Sequence, residues 1–68
     1  MFDTTHTATV CIPAGSFQVT SHQGPASAML DGMLAAQGRA GPITWTQTEP
    51  TFARGTTFAG AAVTVHVA

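Results

Sequence analysis

Residues 5–12, THTATVCI, alternate without a fault: His6, Ala8, Val10 and Ile12 on one side, Thr5, Thr7, Thr9 and Cys11 on the other. A period of two over that length predicts a strand with one apolar and one hydroxyl face. Pro13-Ala14-Gly15 interrupts it, and SFQVTS (16–21) reads as an extended segment, either a return strand or a lead into a helix. Gly24-Pro25 marks a helix start, since proline at the first helical position gives up an N–H that has no partner there. The spacing predicts a helix over 25–37, with Met29, Leu30, Met33 and Leu34 as its buried stripe. Gly38 is the expected terminator, and Gly41-Pro42 bars continuation.

Alternation returns in ITWTQTE (43–49), with Ile43, Trp45, Gln47 and Glu49 on one face and threonines on the other. Pro50 ends this strand, TFARGTT (51–57) reads as a loop or a wide hairpin turn around Gly55, and residues 58–68 form the last strand. The expected fold is therefore α+β: a small antiparallel sheet of three to four strands covered by one helix, in the order β-(β)-α-β-β, as a single domain over 1–68.

Composition changes this picture in one respect. A chain of 68 residues buries a small core and usually needs a staple. Cys11 is the only cysteine, so there is no internal disulfide. His6, His22 and His66 are scattered without ligand spacing, so no metal site is expected. Charged residues are 7% of the chain, against about 25% in an average domain. Arg39 and Arg54 are the only cations besides histidine; Asp3, Asp31 and Glu49 are the acids. A surface of Thr, Ala, Gly and Val points to burial against other subunits, hence a homo-oligomer.

A net charge of −1 argues against a nucleic-acid partner. With neither a signal peptide nor a spanning apolar run, and with an unpaired thiol, the expectation is a cytoplasmic protein without membrane contact. No phosphate-loop, dinucleotide or zinc-hydrolase motif is present, so an enzyme is not expected. The candidate ligand-binding residues are Trp45, whose ring offers a flat face, its expected neighbours Gln47 and Glu49, and Arg54 as an anion grip. Phe58, Thr64 and His66 are candidate interface residues.

Several short segments resemble the dodecins, small flavin-binding proteins of β-α-β-β fold that assemble into hollow dodecamers. Ser21 leads the helical region; Ala28, Gly32 and Ala36 place small residues at a spacing of four. Ile43-Thr44-Trp45 is similar to the family's entry to its second strand, and Val63-Thr64-Val65-His66-Val67 to its closing strand. The resemblance implies a homo-oligomer that sequesters flavin or another flat aromatic ligand at Trp45. Ala62 stands where the family usually has a glutamine that hydrogen-bonds the flavin ring. The alternatives are a non-catalytic structural subunit of a viral particle or larger complex, and a small cofactor-independent enzyme with an inter-subunit site built from Cys11, His6, His66 and Arg54.

Overall fold

The computed structural model describes residues 5–67, so Asp3 and the last residue of the expected terminal strand, Ala68, lie outside the described residues. The elements run β1 (His6–Ile12), β2 (Gly15–Ser21), α1 (Pro25–Ala40), β3 (Ile43–Glu49), β4 (Phe52–Thr57) and β5 (Ala62–Val67). All five strands join one antiparallel sheet in the order β2-β1-β5-β4-β3. The expectation of three to four strands is thus corrected to five, in the order β-β-α-β-β-β. Each side of the helix carries one strand more than the β-α-β-β order implied by the dodecin resemblance.

The first extra strand comes from the turn. Ile12 pairs with Gly15, so Pro13-Ala14 is a two-residue connection that returns β2 along the whole length of β1. The second is β4, which the sequence hides as a loop. Its inward residues, Ala53 and Gly55, are fully covered yet too small to give an apolar signal. Gly55 is small for a steric reason: a Cβ there would lie 2.6 Å from the Thr44 carbonyl oxygen and 3.1 Å from Cε3 of Trp45, its cross-strand partner. The Thr44 carbonyl, the Ile43 side chain at 2.8 Å and the indole together take the space that a β4 side chain would fill. The terminal strand is correspondingly shorter than expected. Phe58–Ala61 form the β4–β5 turn, held by Gly60 N–H to the Thr57 carbonyl at 2.9 Å and by Ala61 N–H to Thr57 Oγ1 at 3.1 Å.

Helix α1 begins after Gly24, with Pro25 in its first turn. It runs past Gly38 to Ala40 and stops at Gly41, whose φ of 83° is natural only for glycine and whose N–H closes on the Gln37 carbonyl at 2.9 Å. The buried stripe is Ala28, Met29, Gly32 and Ala36; Leu30 and Leu34 are 58% exposed. The expected Met/Leu stripe is therefore rotated toward the small residues. The cause is close approach: a Cβ at Gly32 would stand 2.8 Å from Val65 Cγ1 and 3.1 Å from Ala8 Cβ. The helix backbone rests directly on the sheet, and Ala8, Val10, Val63 and Val65, all fully buried, complete the core. The helix sits chiefly over β1 and β2, less over β5, and barely over β4 and β3. It covers one face of the sheet, and among the described residues nothing covers the other.

Candidate functional site

The register assigns every strand residue to a face, because paired residues point the same way. On the covered side lie Ala8 and Val10 with Val19 and Phe17, then Val65 and Val63 with Ala53 and Gly55, and at the far edge Trp45 and Ile43. The open side carries Thr7, Thr9 and Cys11 of β1, Ser16, Gln18 and Thr20 of β2, Ala62, Thr64 and His66 of β5, and Phe52, Arg54 and Thr56 of β4.

Strand β3 departs from simple alternation. Trp45 pairs with Gly55 but Gln47 pairs with Arg54, the next residue of β4, so Thr46 is the extra residue of a bulge. Its hydroxyl donates to the Arg54 carbonyl at 3.3 Å. One inserted residue reverses the side-chain phase beyond it. Gln47 and Glu49 thus point to the open face, opposite Arg54 and Phe52, while Trp45 stays on the helix side. The expectation that Gln47 and Glu49 flank Trp45 on one face is corrected, because the alternating letters conceal the bulge.

The seven candidate residues consequently divide into three places. Gln47, Glu49, Arg54, Thr64 and His66 gather with Phe52 on the open face of β3-β4-β5. Here Gln47 Nε2 donates to a Glu49 carboxylate oxygen. The Arg54 guanidinium carbon lies 5.7 Å from the Phe52 ring centre, and Phe52 meets His66 edge-on with centroids 6.4 Å apart. Trp45 is half-buried on the other side, and its indole Nε1 is buried with no hydrogen-bond partner among the described residues. Phe58 stands 95% exposed at the β4–β5 turn. It lines a cleft of about 380 Å³ with Ile12, Pro13, Ala14, Arg39 and Thr57. A second cleft of about 320 Å³ lies between Met29 and Pro25 of the helix and Glu49 and Thr51.

Of the four residues that an enzyme reading would need, Cys11, His66 and Arg54 share the open face and His6 does not. His6 shares the covered side with Ala8, whereas Cys11 and His66 are on the open side, in pairs with Thr64 and Thr9 respectively. No hydrogen bond joins any two of Cys11, His6, His66 and Arg54 among the described residues. Nor do three His, Cys, Asp or Glu side chains among the described residues gather closely enough to hold a metal ion. No helix there is long and apolar enough to cross a membrane.

Sequence reasoning missed two features of the site. Phe52, the aromatic centre of the open patch, was read as part of a loop; its alternation with Arg54 was the available signal. Arg39 stacks over Phe17 with its guanidinium carbon 4.2 Å from the ring centre, pinning the helix end to β2, and no local pattern announces that pair.

No curated protein and no solved structure matches the chain. A family model does match, over residues 2–67, and the chain belongs to that family, the family of unknown function DUF7280.

Proposed function

We propose that this chain is a non-catalytic, self-assembling subunit whose work is done by packing against copies of itself. The observation that carries this reading is the open face of the five-stranded sheet. It is as wide as the covered face, yet among the described residues it bears only Arg54 and Glu49 as full charges, against a field of Thr, Ser and Gln. An antiparallel sheet with one face in water normally carries charge there to keep it solvated and single. A neutral hydroxyl lattice hydrogen-bonds to a neighbouring protein surface at little desolvation cost, because no ionic group has to leave water. Exposed Leu30, Leu34 and Phe58 add apolar surface elsewhere on the subunit.

A ligand role for Trp45 is less well supported than assembly. Its polar companions point to the opposite face, and its indole N–H is already enclosed by the subunit. Light scattering coupled to size-exclusion chromatography tests the proposal. A mass of two or more subunits that follows concentration is expected, and a strict monomer refutes it. Titration with flavin, read by quenching of flavin fluorescence, is expected to show no saturable binding to that oligomer.

A further inference from the structure

We infer that two copies of the chain join edge to edge through β2, in antiparallel register centred on Gln18, to make one continuous ten-stranded sheet. This rests on the assembly reading above and adds to the open face a second contact, at the edge of the sheet. The sheet has two edges, β2 and β3, and they differ. Edge strands expose unpaired N–H and C=O groups, and proteins that stay single blunt them with bulges, prolines or charges. Strand β3 has such devices: the bulge at Thr46, Pro42 and Pro50 at its two ends, and Glu49 within it. Strand β2, GSFQVTS, has none of them; it is uncharged, free of proline and regularly paired to β1 over all seven residues.

The free hydrogen-bonding groups of β2 can be assigned. Val67 donates its N–H to Thr51, on the β4 side, so its pairing with Ala8 is not hydrogen-bonded. By the alternation of antiparallel ladders, Ala8 then bonds to Val19, and the outward N–H and C=O groups of β2 belong to Ser16, Gln18 and Thr20. A two-fold axis through Gln18 pairs Gln18 with its own copy and Ser16 with Thr20, giving about six hydrogen bonds. On the helix side it brings Phe17 opposite Val19 of the second copy, and both are only half-buried in the single chain. The helices do not obstruct this. With each helix chiefly over β1 and β2, the two β1 strands are three spacings apart, about 14 Å, against about 8–10 Å between packed helices. Because the contact is isologous and the outer β3 edges are blunted, growth stops at two along this direction.

The test is a charge swap across the axis, with Gln18→Lys, Gln18→Glu and their equimolar mixture followed by analytical ultracentrifugation. Gln18 is exposed on the open face, so neither change touches the core. Each variant alone is expected to dissociate about fivefold more readily than wild type, since like charges sit directly opposite, and the mixture is expected to recover the affinity as a heterodimer. Gln18→Pro deletes an outward N–H that the single chain does not use, and is expected to stay folded by circular dichroism while sedimenting at half the wild-type mass. An oligomer indifferent to all three changes overturns the β2 interface while leaving self-assembly standing. A wild-type chain that is monomeric throughout overturns both.

Discussion

The closeness of helix and sheet can be measured by adding one methyl group at each of two glycines of the same helix. Gly32 and Gly38 both lie within α1, and both changes to alanine gain the same helix propensity, about 0.8–1.0 kcal/mol. Their surroundings are opposite. At Gly38 a Cβ meets nothing within 4 Å, so the propensity gain is uncontested and Gly38→Ala should stabilise by about 1 kcal/mol. At Gly32 the methyl would lie 2.8 Å from Val65 Cγ1, 3.1 Å from Ala8 Cβ and 3.4 Å from Val10 Cγ2. None of these can retreat freely, because Val65, Ala8 and Val10 are fully buried. Overpacking of this kind costs about 1–3 kcal/mol, which exceeds the propensity gain, so Gly32→Ala should destabilise by about 1 kcal/mol. The two variants should therefore differ by about 2 kcal/mol, or roughly 8–16 °C in Tm for a domain of this size. Urea unfolding at one fixed protein concentration measures both. If Gly32→Ala stabilises as much as Gly38→Ala, the helix does not rest on Val65 and the packing described here is wrong.

Gly55→Ala should be worse than Gly32→Ala, because its nearest obstacle is the Thr44 backbone oxygen at 2.6 Å; a loss of about 2–3 kcal/mol in urea unfolding is expected, and an unchanged midpoint would refute the steric account of β4. Trp45→Phe removes an indole N–H that is buried without a partner, a defect worth about 1–3 kcal/mol, while giving up some ring area; stability within about 1 kcal/mol of wild type is expected, and a larger fall would mean that the N–H has an acceptor. Arg39→Ala should cost about 0.5–1 kcal/mol through its contact with Phe17, with Phe17→Leu producing a non-additive partner effect in a double-mutant cycle. Phe58→Ser should leave the unfolding midpoint within about 0.5 kcal/mol, since the ring is 95% exposed, and raise solubility.

How far the letters spoke for the fold depended on where size, rather than polarity, made the choice. Strand β1 and the core half of β5 were legible because Val10, Val63 and Val65 alternate with hydroxyls, and a half-buried sheet leaves that trace. The helix was legible as an element but not in its orientation. Hydrophobicity favoured Leu30 and Leu34, while the contact was decided by how near a backbone can come, a quantity carried by Ala28, Gly32 and Ala36. The spacing of those three residues was visible in the sequence, yet periodicity scored by hydrophobicity gives small residues little weight. Strand β4 was missed for the same reason, since Ala53 is small and Gly55 yields its volume to its β3 neighbours Ile43 and Trp45. The candidate site was legible only in part: Thr64 and His66 share a face as their alternation indicates, but the membership of Arg54 turned on β4, which reads as a loop or turn, and that of Gln47 and Glu49 on pairing with another strand, which no local pattern records.

The extra residue at Thr46 gives β3 two unrelated jobs along seven positions. Before it, the strand contributes Ile43 and Trp45 to the side the helix occupies; after it, the strand contributes Gln47 and Glu49 to the side that faces outward. Each half can vary without disturbing the other, so that interior packing and surface chemistry are free to diverge within one short segment. Deleting Thr46 would leave both halves on their present sides: Gln47 would follow Trp45 directly, still opposite Arg54, and the strand would alternate without a bulge. A single-codon deletion at that point thus removes the bulge from this sheet edge while Glu49 keeps its place opposite Phe52.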